Sequence, residues 1–370
     1  MTENQHRGNP FRSVKYIPTV DEILSIAFDQ VKLIRMKTSK RRSREEKIAS
    51  LERDRISKLT EILSEKLLDI NKQFPWIDDI HPFYIELCDL IGSTDKLKRI
   101  LGRIVGIANQ LREMEKEQLG KLKLTEHPLE MAKIRKESSG RMASMVKKAR
   151  GDVHYLIRII KKLKSIPDFN ISYPTIVIAG APNVGKSSLV QEISSGIPEV
   201  GEYPFTTKQI IFGHRDLAIA KVQIVDTPGL LDRPLKERNV IERQSIASIR
   251  YISDIIIFIF DISKDATITA REQLSLFEDI EKEFPKVPII RILNKIDLLS
   301  NEEINKSEEI FQTEFHISTK EKTNLDVLIT FLEEKIINLV KISEKFKESQ
   351  KIVIAEEFLP QEEEEINYEF

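Results

Sequence analysis

Gly180-Ala181-Pro182-Asn183-Val184-Gly185-Lys186-Ser187 fits the spacing G-x-x-x-x-G-K-[ST]. Glycines at the two ends let a backbone wrap a phosphate, and successive N–H groups and a helix N-terminus then face the anion. In that pattern Asn183, Val184, Gly185, Lys186, Ser187 and Ser188 form the phosphate cradle. Lys186 reaches the β- and γ-phosphates, and the Ser187 hydroxyl is a Mg²⁺ ligand. Downstream, Asp226-Thr227-Pro228-Gly229 ends an apolar run. Its carboxylate would hold Mg²⁺ through water, and the Gly229 N–H would touch the γ-phosphate. Thr206-Thr207 lies between them in a Gly- and Pro-bearing loop suited to order–disorder switching. Thr207 is the expected third Mg²⁺ ligand, since tandem-Thr loops in related proteins generally use the second residue.

Asn294-Lys295-Ile296-Asp297 follows the apolar run VPIIRIL. A carboxylate at 297 can accept from the guanine N1–H and 2-amino group. Adenine offers neither donor and would leave a desolvated acceptor unpaired, so such a site discriminates by roughly 10⁴–10⁵. Asn294 and Lys295 would brace the base and the phosphate loop. Ser318-Thr319-Lys320 could supply a backbone N–H to the guanine O6. Lys186, Thr207 and Gly229 are thus the candidate catalytic groups, and Ser187, Thr207 and Asp226 the candidate metal ligands, with GTP or GDP and Mg²⁺ as cofactors.

Leu230 stands where a self-sufficient hydrolase would put a water-orienting polar side chain. An aliphatic group cannot hydrogen-bond a water. Two readings follow: binding without turnover, or hydrolysis helped by a cation or a partner. Asn183 sits where some related GTPases help hold K⁺, and a cation beside the β–γ bridge would neutralise developing charge, an effect worth about 10³–10⁵. Arg233 and Arg238 lie just beyond the turn, placed for assistance in cis or for surface ion pairing.

These groups need a scaffold, and the rest of the 370 residues outlines one. From Thr175 onward, β-rich runs (175–180, 209–213, 221–226, 254–261, 287–293, 315–318) alternate with helical stretches (186–195, 239–252, 270–283, 302–312, 323–345). That is the pattern of a mostly parallel α/β sheet. Residues 1–165 read almost wholly as helix. Thr19 and Glu22 fit a capping box. Ile48, Leu51, Ile56, Leu59, Leu63 and Leu67 recur at helical spacing over 43–70, helices are expected near 82–92 and 94–120, and one long helix over 129–164. Gly140 marks a kink in it, a close approach to a partner, or plain packing. Long amphipathic helices must share their stripes, so a bundle is expected. Trp76 is assigned to its core, and Phe83-Tyr84 to a buried pair at a helix start. The fold class is therefore α + α/β: an N-terminal helical bundle over 1–168, a P-loop GTPase-type domain with a mostly parallel sheet over 169–345, and an acidic, disordered tail over 346–370. No internal repeat is evident.

Charge separates the halves. Residues 1–170 hold 35 Lys and Arg against 24 Asp and Glu, a net +11, and the remainder 23 against 35, a net −12. One basic cluster runs from Lys32 through Lys37, Lys40, Arg41 and Arg42 to Lys47, another from Lys133 through Arg135, Lys136, Arg141, Lys147 and Lys148 to Lys164. A polyanion partner and a solvated face laced with i,i+4 pairs both fit. A single cysteine, Cys88, excludes an internal disulfide, and the six histidines lack metal-ligand spacing. The longest purely apolar run, Ile255–Phe260, is too short to span a bilayer, and the first residues carry no signal-peptide core. A cytoplasmic monomer without a membrane partner is expected.

Stretches outside the generic nucleotide motifs narrow this further: DDIHPFY (78–84), PNVGKSS (182–188), YPFTTK (203–208), FGH (212–214) and DTPGLLDRPLKERNVIE (226–242). With them, residues 10–345 resemble the nucleolar GTP-binding protein 1 family of Obg-like GTPases. The resemblance implies an assembly GTPase for the large ribosomal subunit, with precursor particles as partners and a helical domain that docks on ribosomal RNA. Eukaryotic members carry a long C-terminal extension, so this sequence looks like an archaeal-type member without it. Competing readings are a helical RNA-binding scaffold with a silent nucleotide site, and a GTPase assisting RNA modification. A membrane-linked GTPase is disfavoured.

Overall fold

The computed structural model describes residues 8–36, 43–166, 168–202, 209–217, 220–226, 231–232, 246 and 249–342. The chain forms two compact units that interleave along the sequence. One comprises 10–80 and 91–164, and the other 1–9, 81–90 and 165–370. The expected helix at 239–252 and tail at 346–370 fall largely or wholly outside the described residues.

The first unit is helical: α1 (Val20–Lys32), α2 (Arg44–Gln73), α4 (Thr94–Lys123), α5 (Pro128–Lys148) and α6 (Arg150–Lys164). Thr19 and Ser43 close capping boxes with Glu22 and Glu46, so α1 and α2 start where side chains satisfy the orphan N–H groups. The α2 stripe Ile56, Leu59, Leu63, Leu67 and Ile70 is fully buried. It faces α4 and α5, including Leu97, Ile104 and Leu111 of α4. Each such side chain contributes about 1.5–3 kcal/mol on leaving water.

The long helix expected over 129–164 is two helices. At Ala149 the N–H bonds to the Val146 carbonyl, three residues back, and α6 follows at once. Buried Met142, Val146, Ala149, Val153, Leu156 and Ile160 keep alternating spacings of four and three across this turn, so the stripe is unbroken. The interruption is not at Gly140, which lies inside α5 and where an added Cβ would meet open space. Trp76 is 72 % exposed, not core. Phe74 and Ile77 take the buried places on either side of the Pro75 turn and leave Trp76 outside.

The second unit is built on a seven-stranded sheet in the order β2-β3-β4-β1-β5-β6-β7, with β1 (Thr175–Gly180), β2 (Glu199–Glu202), β3 (Gln209–Leu217), β4 (Ala220–Asp226), β5 (Ile255–Phe260), β6 (Ile289–Leu293) and β7 (Phe315–His316). β3 alone runs antiparallel to the other six strands. β2 is not evident from the sequence. Glu-Val-Gly-Glu has no strand pattern, and pairing with β3 makes it one.

β5 reads as a continuous apolar run because both faces are covered. Ile255, Ile257 and Ile259 join the cluster that holds Leu189 and Val190 of α7 (Lys186–Ile193) and Leu328, Leu332 and Ile336 of α10 (Leu325–Ile342). Phe258 and Phe260 face the other way. Phe258 meets Phe277 of α8 (Ala270–Glu283) at 5.3 Å between ring centroids, and Phe260 stacks on Phe311 of α9 (Asn301–Phe311) at 4.2 Å.

Helix α3 (Pro82–Gly92) begins with the expected buried pair. Phe83 and Tyr84 are both inaccessible. Phe83 packs edge-on against Phe169, which packs edge-on against Phe212 of β3, and the Tyr84 hydroxyl donates to the Phe169 carbonyl at 3.1 Å.

Candidate nucleotide site

β1 lies between β4 and β5, and the chain crosses from one flank to the other around it. Ligands of open α/β sheets bind at the carboxyl ends of strands at such a point. The phosphate loop leaves β1 there. Gly180 has φ +135°, and a Cβ would stand 2.5 Å from the Ile259 carbonyl. Gly185 has φ +103°, and a Cβ would stand 2.3 Å from the Asn294 side-chain nitrogen. Both glycines are therefore obligatory. Asn183 takes the left-handed conformation at φ +63°, one that asparagine tolerates, and its side chain is exposed. Val184 is buried and Ser188 is exposed.

The Lys186 ammonium donates to the carbonyls of Gly180 at 3.0 Å and Ala181 at 2.7 Å, so the loop curls around its own cation. The Ser187 hydroxyl donates to Asp226 Oδ2 at 2.6 Å. Asp226 ends β4 and is fully buried. A hydroxyl and a buried carboxylate are hard-oxygen donors and suit Mg²⁺, which takes one or two protein ligands and completes its shell with phosphates and water. Among the described residues no group of three or more His, Cys, Asp or Glu could hold a metal alone.

Asn294, fully buried at the end of β6, ties two loops together. Its amide nitrogen donates to the Val184 carbonyl at 2.8 Å, and its oxygen accepts from the Thr319 N–H at 3.1 Å. Two residues beyond Lys295, Asp297 is exposed, and one of its oxygens accepts from the buried Ser318 hydroxyl at 2.6 Å. The structure thus gathers Asn183, Val184, Gly185, Lys186, Ser187, Asp226, Asn294, Lys295, Asp297, Ser318 and Thr319 at the carboxyl edge of the sheet. Thr207 and Gly229 lie outside the described residues, as do Thr206, Leu230, Arg233 and Arg238.

Three residues escape the motif reading. Asp261, 1 % exposed, follows β5 and pairs with Lys295 at 2.6 Å. Gln273 of α8 bonds both backbone groups of Asp261. Thr267 donates to the Pro182 carbonyl of the phosphate loop at 2.8 Å. A carboxylate directly after an all-apolar central strand was the available signal for Asp261.

In the helical unit, Lys133, Lys136, Arg141, Lys147 and Lys148 occupy exposed positions along α5. Among the described residues none of them forms an ion pair. Arg135 differs: it binds Glu52 at 2.6 Å, a carboxylate 5 % exposed that Arg55 also contacts.

A phosphate-wrapping loop before a helix, a hydroxyl–carboxylate pair beside it, and an Asn-Lys-x-Asp turn braced onto it define a P-loop GTPase. A model for the NOG1 N-terminal helical domain matches residues 11–170, and a model for 50S ribosome-binding GTPases matches 175–295. The Drosophila melanogaster nucleolar GTP-binding protein 1 is 34 % identical over 265 residues, 72 % of this chain and 40 % of that protein. The Saccharomyces cerevisiae protein of the same name is 31 % identical over 277 residues, 74 % of this chain and 42 % of its own length. An uncharacterised protein of Methanocaldococcus jannaschii is 33 % identical over 301 residues, 80 % of this chain and 83 % of that one. A crystal structure of a putative nucleolar GTP-binding protein 1 from Plasmodium falciparum covers 51 % of this chain at 30 % identity and a TM-score of 0.40. The chain belongs to the nucleolar GTP-binding protein 1 family. It spans about two fifths of the length of the fly and yeast relatives.

Proposed function

We propose that the chain is a GTP-driven switch in assembly of the large ribosomal subunit and that it binds ribosomal RNA through its helical domain, residues 1–168. The observation that carries this is the presence in one chain of a nucleotide site and of a basic face on α5, where Lys133, Lys136, Arg141, Lys147 and Lys148 are exposed and form no ion pair among the described residues. The name of the GTPase model that matches 175–295, which specifies 50S ribosome binding, supports the choice of partner. Phosphate neutralisation by such lysines gives affinity that falls steeply with salt.

In this reading Lys186 grips the β- and γ-phosphates, Ser187 and Asp226 hold Mg²⁺, and Asp297 selects guanine. Thr207 completes the metal shell and the Gly229 N–H senses the γ-phosphate. Mg²⁺ supplies neutralisation of charge on the phosphates. With Leu230 unable to orient water, intrinsic hydrolysis is slow and is accelerated by K⁺ near Asn183 or by the ribosomal particle. The protein works as a cytoplasmic monomer. Among the described residues no helix is long and apolar enough to cross a membrane.

Sedimentation with precursor large subunits tests this. The GTP-bound protein is expected to co-sediment, the GDP-bound protein to release, and the bound fraction to fall as salt rises. Indifference to GTP versus GDP would instead support a scaffold with a silent site.

A further inference from the structure

We infer that Asp261 is a positioning residue for guanine selection: its buried ion pair with Lys295 holds the 294–297 turn so that Asp297 meets the base. This rests on the assignment of Asp297 as the guanine acceptor.

Lys295 adopts φ +61° and ψ +35°, the left-handed region, which a lysine leaves readily unless something restrains it. Its ammonium lies 2.6 Å from Asp261 Oδ2, and that carboxylate is 1 % exposed. Asp261 is itself immobilised. Its Oδ1 accepts from the Ser263 N–H at 2.8 Å. Its backbone N–H donates to Gln273 Oε1 at 3.0 Å, and its carbonyl accepts from Gln273 Nε2 at 2.6 Å. Gln273 is buried in α8, so the anchor is a rigid element rather than a loop. Lys295 is the ion-pair partner of this buried carboxylate. The pair ties the partly exposed Lys295, and with it the turn, to the buried Asp261. Asp297 sits two residues on, and one of its oxygens accepts from the Ser318 hydroxyl. The ion pair holds the turn at Lys295, and the serine holds the Asp297 carboxylate itself.

The test uses the full chain and three nucleotides. Inosine triphosphate lacks the 2-amino group and so makes only one of the two hydrogen bonds to Asp297. Dissociation constants for GTP, GDP and inosine triphosphate are measured for wild type and Asp261→Asn. GTP and GDP should weaken by the same factor, about tenfold or more, and inosine triphosphate less, so the preference for GTP over inosine triphosphate falls several-fold. In a Lys295→Met background, Asp261→Asn should leave that preference unchanged. If the Asn variant does not fold, Gln273→Met loosens the same anchor without removing the ion pair and should also lower the preference. Equal weakening of all three nucleotides would overturn the inference and leave the guanine assignment standing. A wild type without preference for GTP over inosine triphosphate would overturn both.

Discussion

Gly185 concentrates the constraints of the site in one residue. Its φ is +103°, and the space a side chain would need is filled by the Asn294 amide, which binds the Val184 carbonyl and the Thr319 N–H. A methyl group there strains the backbone and separates the phosphate loop from the Asn-Lys-x-Asp turn. Gly185→Ala is expected to cost about 2–3 kcal/mol of nucleotide binding, or roughly thirty-fold or more in Kd. Isothermal titration of the variant with GDP gives that number, and an unchanged Kd would mean that the two loops are not mechanically joined. Lys186 shows a related economy. The carbonyls of Gly180 and Ala181 that accept from it belong to the loop it serves, so the cation holds the cradle in shape.

At the scale of elements, helix starts recur as the local device. Thr19, Ser43, Thr269 and Ser300 each close a capping box. The box on α8 matters most for the site, because α8 carries Gln273 and follows Thr267. Hydrogen bonds from the Thr269 backbone N–H and then its hydroxyl hold the Glu272 carboxyl below the ordinary glutamate range. A carboxylate favoured in the folded state stabilises at neutral pH. That contribution goes as the pH falls below the ordinary glutamate value of about 4.3 toward the lower folded one. Glu272→Gln should therefore lower the neutral region of a stability–pH profile, leave its acid end nearly unchanged, and so flatten the limb between them. Thr269→Ala should lower stability by about 1 kcal/mol at pH 7. Denaturant titrations at several pH values check both.

The whole molecule is interleaved: residues 81–90 leave the helical unit to pack with the sheet. The Phe83–Phe169–Phe212 contacts, with centroids 4.8 and 4.7 Å apart, secure that excursion. Phe212 pairs with Val225, one residue before Asp226, so the aromatic chain ends beside the strand that carries Asp226. Cys88 reports on this region. Burial pushes its thiol up to about 12, and it is 1 % exposed. Thiol reagents at pH 8 should spare it in the native protein. Phe169→Ala should destabilise by about 3–5 kcal/mol and let Cys88 react far faster. Labelling followed by mass spectrometry gives the rate, and equal rates would show that the ring does not hold the segment.

Much of this was readable in order along the chain. Spacing alone located the phosphate loop, the Asn-Lys-x-Asp turn, the capping box at Thr19 and most strands and helices, because each depends on residues within a few positions of one another. The acidic residue after an apolar strand and the serine at 318 were visible as residue types, but nothing local says what they face. That Asp261 meets Lys295, that Asn294 joins two loops and that Gln273 grips the Asp261 backbone are contacts between segments 12 to 110 positions apart. Only the stacking of strands in the order β4-β1-β5-β6 brings them together. The same holds for β2, a strand by partnership rather than composition, and for Trp76, displaced from the core by its neighbours. Local sequence determined which groups can bind a nucleotide. Tertiary structure decided what holds them in place, since burial and pairing depend on which distant surfaces the fold brings into contact.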